Sequence, residues 1–364
     1  MRIALSGFNV NFIAGANLYP RKIGMGFLKA GHRILILSSA IPKTLYPEEK
    51  ISSYLRINII NSLFIYRKTK KFNPDVVIIN GFSFADLFLY YYSKHLNKPA
   101  FFVVHNKVRQ ILEDQISMKL LIDILEKLYI QMLNSMSLIF VLNQDMDEYI
   151  KSLGMNNTKL IDNPVDLSVF HPAEKFEVPG KESEWHLICV ANINKRKNQK
   201  YLLEVIKHLP GNFYLHFVGG YTLNVGYYAE FRTQLLKENS ENIIYHGKKN
   251  INEISELLRG SHIYVTSSLL EGKSFSQIEA LATGLPTVRL YSNQTAGITS
   301  HNYTAIHIPV DSDPKIFAEA IEKLSKSPKE YLRLRTNSIK ESEKYSQKQV
   351  AREIVALIER ATTG

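Results

Sequence analysis

Short apolar runs alternate with longer amphipathic stretches along this chain, and the alternation restarts once near the middle. Arg2–Ser6 reads as a buried strand, and a helix is expected over Leu18–Lys29, with Pro20 tolerated in its first turn and Gly31 just past its end. Strands follow at Arg33–Leu37, at Asp75–Asn80 behind the breaker Pro74, and at Ala100–His105. An aromatic-rich helix, Phe84–His95, lies between the last two. A long amphipathic helix, Asp114–Asn134, then precedes the strand Leu138–Leu142. Strands separated by helices of this length predict a parallel sheet covered on both faces.

The rhythm breaks at Ile161–Pro172, which holds two prolines, and His171–Glu184 is polar with a Pro179-Gly180 turn. It then resumes with strands at His186–Ala191, Phe213–Val218, Asn242–Tyr245, His262–Thr266 and Pro286–Leu290. Helices are expected between them at Lys200–Leu209, Tyr228–Glu238, Ile251–Arg259 and Ser276–Thr283. A capping box, Ser346-Gln347-Lys348-Gln349, opens a last helix with Val350, Ile354, Leu357 and Ile358 on one face. The expected fold class is α/β, with two doubly wound, Rossmann-like domains at 1–170 and 171–345. A C-terminal helix, 346–364, is expected to cross back onto the first domain.

Composition narrows the function. The chain has 364 residues, 45% hydrophobic and 22% charged, which suits two folded domains and argues against disorder. No apolar run has the length of a membrane-spanning helix. The start reads as a strand rather than a secretory leader. The single cysteine, Cys189, sits in an apolar run, so neither a disulfide framework nor a thiolate metal site is expected. Both point to the cytoplasm. The net charge is +11, and residues 1–100 carry 14 Lys/Arg against 4 Asp/Glu, including Arg67, Lys68, Lys70 and Lys71. A field of this sign favours an anionic partner such as lipid headgroups or a phosphorylated ligand. With no zinc finger, aromatic RNA-binding strand or basic coiled-coil arm, nucleic acid is not expected.

Parallel α/β sheets bind ligands beyond the carboxyl ends of their strands, where helix N-termini offer free N–H groups. Three strand ends are chemically marked. Glu271-Gly-Lys-Ser-Phe-Ser-Gln-Ile-Glu-Ala-Leu-Ala-Thr-Gly-Leu-Pro286 turns on Gly272 and enters a helix near Ser274. Glu271 and Glu279 then flank the amides of Lys273, Ser274 and Phe275. Such a site can hold a sugar hydroxyl, a diphosphate and a ribose diol in turn. A surface carboxylate pair around a helix start is the plainer account of the two glutamates alone. The second end, Val190–Lys200, carries Lys195, Arg196 and Lys197 before a helix, where like charges oppose the dipole and favour a bound anion. The third, Ala100–Asn106, ends on His105.

The first segment resembles the E-G-F-G-x-x-x-x-E-A-x-A-x-G-x-P-V signature of the retaining glycosyltransferases of family 4, which have the GT-B fold. Both glutamates, their spacing and Gly284-Leu285-Pro286 match; Lys273 and Ser274 replace Phe-Gly. The second is similar to V-G-R-L-x-x-x-K-G, with Lys197 at the lysine and Asn192 at the arginine. The third is similar to P-V-V-x-T-x-H, with His105 at the histidine. Lys159–Pro172, Val218-Gly219-Gly220 and Tyr245-His246-Gly247-Lys248 resemble further family segments, and Gly15-Ala16-Asn17 stands where many members have a glycine loop.

The resemblance implies two domains facing each other across a cleft, with a nucleotide-sugar donor on the second and the acceptor on the first. It implies hexosyl transfer with retention of configuration, with no metal and no cofactor, a UDP-sugar being the first donor expected. His105, Glu271 and Lys197 are the implied catalytic residues. The implied donor set is Gly15, Asn192, Arg196, Lys197, Gly247, Lys248, Glu271, Lys273, Ser274, Phe275 and Glu279. The acceptor is a glycan or lipid-linked saccharide of cell-surface polysaccharide or glycolipid synthesis. Together with the basic first domain and the exposed-looking Tyr90, Tyr91 and Tyr92, this implies peripheral contact with the inner face of an anionic membrane. Asn192 removes a bidentate phosphate fork, which leaves Lys195 or Arg196 to replace it. These departures, and a missing glutamate after Gly297, keep open a second reading: a non-catalytic GT-B binding or partner subunit.

Overall fold

The computed structural model describes every residue except 8–14, 39–53, 58–60, 181, 222–224, 239, 293–294, 296 and 364, with the backbone alone at 15–17, 54–56, 111, 114–115 and 225. The chain divides into two compact units, Met1–Pro164 with Tyr345–Gly364, and Val165–Lys344.

In the first unit, seven parallel strands run in the order β3-β2-β1-β4-β5-β6-β7. They are β1 (Arg2–Gly7), β2 (Arg33–Ser38), β3 (Tyr54–Arg56), β4 (Val76–Ile79), β5 (Ala100–Val104), β6 (Leu138–Val141) and β7 (Thr158–Leu160). Their helices are α1 (Gly15–Lys29), α2 (Ser62–Phe72), α3 (Phe84–His95), α4 (Val108–Gln115), α5 (Lys119–Asn134) and α6 (Gln144–Ser152). The central strands are buried on both faces, which is why they read as unbroken apolar runs.

The helix expected at Asp114–Asn134 begins later, as α5 at Lys119; the first five residues of that span are the end of α4 and a link in which Ile116 and Met118 are extended. A straight helix would turn Leu112 about a quarter turn off the Ile122–Tyr129–Leu133 stripe, and all four are in the core. The break lets both stripes bury, and Arg109 joins α4 to α5 through Asp123 and Glu126. The three tyrosines also correct an expectation: Tyr91 is 64% exposed, Tyr92 is 2% exposed and Tyr90 lies between. Consecutive helical side chains diverge by about 100°, so three in a row cannot share one exposed face.

The second unit holds six parallel strands in the order β10-β9-β8-β11-β12-β13. They are β8 (Trp185–Val190), β9 (Phe213–Val218), β10 (Ile243–Tyr245), β11 (Ile263–Thr266), β12 (Thr287–Tyr291) and β13 (Ala305–Pro309). The helices are α7 (Gln199–Lys207), α8 (Val225–Glu238), α9 (Ile251–Arg259), α10 (Phe275–Ala282), α11 (Pro314–Ser325) and α12 (Pro328–Ser342). Cys189 is a free, buried core thiol whose pKa burial pushes up to about 12. The final helix, α13 (Gln347–Thr363), belongs to the first unit and packs along α1. Gly26 permits this, because a Cβ there would stand 2.2 Å from the Gln347 carbonyl oxygen.

A row of histidines crosses the second sheet. His186 Nδ1 lies 2.9 Å from His216 Nε2, and His216 Nδ1 lies 2.9 Å from His246 Nε2. The His186 backbone N–H donates to His262 Nδ1. Each link needs a donor on one ring and an acceptor on the other, which a neutral His216 meets with one nitrogen of each kind. Burial, then the neighbouring imidazoles, push His216 and His262 down to about 4. The folded-state values lie below the ordinary value of about 6.5, so on acidification the unfolded chain takes up protons first. Stability is therefore expected to fall as pH drops from about 6.5 to about 4. Urea unfolding at pH 7.5 and pH 5 checks this: the midpoint drops, and drops less in His216→Gln; an equal drop in the variant would refute the assignment.

Candidate functional site

The strand order of the second sheet reverses between β8 and β11, and the loops after these two strands form the site. Asn192–Asn198 leads into α7, and Ser267–Ser274 leads into α10. The loops are stitched together. The buried Ser267 hydroxyl faces the carbonyls of Lys197 at 3.1 Å and Asn198 at 2.8 Å, and the Leu269 N–H donates to the Arg196 carbonyl at 2.8 Å. Gln199, fully buried, donates to the Asn192 carbonyl at 2.9 Å, and the Asn194 side chain accepts from the Lys197 N–H at 3.1 Å. These bonds turn the loop so that Lys197 points inward.

There its ammonium contacts the Glu271 carboxylate, the two side chains being 11% and 9% exposed. The Ser268 hydroxyl donates to the same carboxylate oxygen at 3.2 Å. Burial, and then the charges of Arg196 and Arg289, press the Lys197 ammonium below its ordinary value. Contact with the carboxylate acts in the opposite direction. Arg196 and Lys195 are exposed beside it and, with Asn194, Leu269 and Leu270, line an open pocket of about 530 Å³.

Helix α10 begins without a side-chain cap: the Ser274 hydroxyl turns to Ser276 at 3.0 Å instead. The helix dipole places partial positive charge at this amino end, which attracts anions. The other end is closed. Gly284, at φ +77°, gives its carbonyl to Arg335 at 3.0 Å, and any side chain there would meet the guanidinium and Ile339. Glu279 lies one turn into the helix and is buried. Gly219 matters in the same way: at φ +150°, a Cβ would stand 2.0 Å from the Ala191 carbonyl oxygen, so only glycine lets β9 end against the Asn192 loop.

The structure therefore brings Asn192, Arg196, Lys197, Glu271, Lys273, Ser274, Phe275 and Glu279 onto two adjoining strand ends. Gly247 and Lys248 follow β10, two strands away, where the Gly247 carbonyl accepts from the Gly219 N–H at 2.8 Å. His105 and Gly15 belong to the first unit. Gly15 opens α1, and the loop before it lies outside the described residues. His105 follows β5, with Nε2 2.7 Å from the Asn80 side-chain oxygen and its ring edge-on to Tyr19. Asn80 in turn donates through its backbone to Ser6 and Asp86. Burial pushes His105 down to about 3, so it is a neutral hydrogen-bonding group. Among the described residues, no three His, Cys, Asp or Glu are arranged to hold a metal ion.

Sequence reasoning missed Ser267, Ser268, Gln199 and Arg289. The serines were legible as hydroxyls placed directly after an apolar strand, and Arg289 as a charge inside one. Removing one partner of a buried ion pair leaves the other unpaired, which costs roughly 3–5 kcal/mol, whereas removing both is often near neutral. Lys197→Met and Glu271→Gln are each expected to destabilise by about that amount, and the double variant to recover most of it. Urea denaturation decides; strictly additive losses would show that the contact carries no coupling.

Residues 171–341 match the family model described as Glycosyl transferases group 1, and residues 13–169 match Glycosyltransferase Family 4. No curated protein matches the chain by sequence. Among solved structures, Anabaena HepE in complex with UDP aligns with TM-score 0.76 at 14% identity, over 99% of this chain and 100% of that one. A glycosyltransferase from Rickettsia africae aligns with TM-score 0.74 at 15% identity, over 99% and 98%. The sucrose-phosphate synthase of Thermosynechococcus elongatus aligns with TM-score 0.71 at 15% identity, over 100% and 99%. At these identities the structural likeness establishes the fold, GT-B.

Proposed function

We propose, from the premise that this chain belongs to the family 4-type glycosyltransferases of GT-B fold, that it transfers a hexosyl group from a UDP-sugar with retention and without a metal. The observation that carries this reading is the buried Lys197–Glu271 pair on adjoining strand ends, beside the uncapped start of α10. Cleaving a nucleotide-sugar bond leaves charge on the diphosphate while the anomeric carbon becomes oxocarbenium-like. An ammonium and a helix amino end, already oriented, stabilise that charge without reorganising. In this reading the diphosphate lies on the first turn of α10 and Lys197, and Glu271 binds sugar hydroxyls. Glu279 takes the ribose diol, and Arg196 at the rim stands in for the absent arginine at Asn192. The departing phosphate oxygen accepts the acceptor hydroxyl's proton on the face it leaves, which retains configuration. In the same reading His105, with Nε2 held against the Asn80 side-chain oxygen, keeps the catalytic role that the resemblance implies. Uridine is the first base to test, because HepE was solved with UDP and with UDP-glucose.

The acceptor in this reading is a glycan or lipid-linked saccharide met at the cytoplasmic face of an anionic membrane. The first unit carries 23 Lys/Arg against 14 Asp/Glu, the second 22 against 20. In the first unit, α5 buries Ile122, Tyr129 and Leu133 and exposes an opposite ridge of Leu120 (69%), Ile124 (47%) and Leu128 (44%). Helix α2 exposes Leu63 and Phe64 beside Arg67, Lys68, Lys70 and Lys71. A helix apolar on both faces within a cationic unit suits an anionic lipid surface. No helix among the described residues is long and apolar enough to cross a membrane.

A nucleotide-release screen with UDP-, GDP-, ADP- and CMP-sugars in EDTA tests the donor site. One class is expected to turn over with the metal chelated, and Lys197→Ala or Glu279→Ala to cost roughly 10²–10³-fold in kcat. The anomeric coupling of the product, read by NMR, reports retention. Silence with every donor, and no nucleotide bound in calorimetry, would instead favour a non-catalytic partner subunit. For the membrane, co-sedimentation with anionic vesicles is expected, together with its loss in Leu120→Ser/Ile124→Ser/Leu128→Ser. Equal and negligible binding to anionic and neutral vesicles would rule it out.

A further inference from the structure

Arg289 stands in the apolar strand β12 at 0% exposure, in register with Thr266 of β11, the residue directly before Ser267 and Ser268. A guanidinium at that depth ordinarily has a carboxylate partner. Among the described residues Arg289 has none. Nη1 donates to Gln277 Oε1 at 3.3 Å and Thr299 Oγ1 at 3.2 Å, Nε donates to the Leu290 carbonyl at 3.3 Å, and Nη2 donates to the Thr295 carbonyl. All four acceptors are neutral. His307, which bonds Thr299 Oγ1 at 3.0 Å, is no anion either, and burial followed by the Arg289 charge pushes it down to about 4.

The acceptors tie the cation to the donor site at two points. Gln277 belongs to the first turn of α10, is 1% exposed, and its side-chain nitrogen has no hydrogen-bond partner among the described residues. Thr295 and Thr299 bracket Gly297, where a Cβ would stand 3.0 Å from the Gly272 carbonyl oxygen in the Glu271–Ser274 loop. A buried positive charge thus sits one hydrogen bond behind the uncapped amino end of α10. Lys197 has Glu271 as its counter-ion; Arg289 has no equivalent.

We propose that the counter-charge of Arg289 is the diphosphate of the bound donor, and that Arg289 is a positioning residue supplying, through the first turn of α10, positive potential that Asn192 does not. This rests on the second unit being the nucleotide-sugar site. At an effective dielectric of about 20, a unit charge anywhere within about 20 Å of a dianion changes affinity by more than tenfold. Being buried, it acts with little screening by salt.

The test compares a nucleoside diphosphate with its own nucleoside. UDP, GDP and ADP are titrated into the full-length protein by calorimetry, and the one that binds is followed alongside its nucleoside, observed by NMR. Arg289→Gln is expected to weaken the diphosphate at least tenfold and the nucleoside less than threefold, and Arg289→Lys to restore most of the loss. Equal weakening of both ligands, or of neither, would overturn the assignment. If Arg289→Gln does not fold, Arg289→Lys decides: it loses the fork of hydrogen bonds but keeps the charge, so diphosphate affinity stays within about threefold of wild type. A larger loss shared by the nucleoside would mark a purely architectural arginine. A wild-type protein that binds no diphosphate would overturn the nucleotide reading and this inference together.

Discussion

The arrangement of the second unit depends on one contact, the buried ion pair between Lys197 on the loop after β8 and Glu271 on the loop after β11. Burial penalises the charged form of each, and contact with the other favours it. Each therefore supports the other, and the serines and asparagine around them exist to bring them within reach. The backbone bonds from Ser267 and Leu269 fix the separation of the loops, and Asn194 and Gln199 fix the turn that points the lysine inward. Gly219 gives the loop room, and Arg335 holds the far end of α10. A buried pair of this kind adds little to stability and is better explained as a fixed electrostatic device.

Much of this was legible in the sequence, for identifiable reasons. Buried parallel strands such as Val76–Ile79 and Ile263–Thr266 announce themselves as unbroken apolar runs, and the glutamates of the α10 segment sit at a spacing that turns them toward one helix end. The edge strands β3, β7 and β13, and the helices α2, α4, α6, α11 and α12, were not anticipated. Edge strands of three residues carry too little pattern, and α2 is dominated by its basic outer face. The link between α4 and α5 was hidden because Asp114–Met118 carries no glycine or proline, and only packing shows that two stripes bury separately.

The site was legible in residue identity and not in connectivity. The family resemblance brought out Lys197 and Glu271, but nothing local states that they touch, because 74 residues separate them in the chain. Arg289 was passed over for a related reason. A charge in a strand reads as an interruption until the topology sets that strand next to β11, behind the loop that carries Glu271. Asn192 reads as a departure from the family pattern in isolation. Beside exposed Arg196 and buried Arg289, it belongs to a site whose positive charge is arranged differently.

Hydrogen exchange with and without saturating UDP tests the central claim most directly, since it reads where the nucleotide is held. The account predicts slowed exchange at 192–199 and 267–279 and unchanged exchange in α5 of the first unit. Protection confined to the first unit, or none at a concentration where UDP is bound, would contradict it.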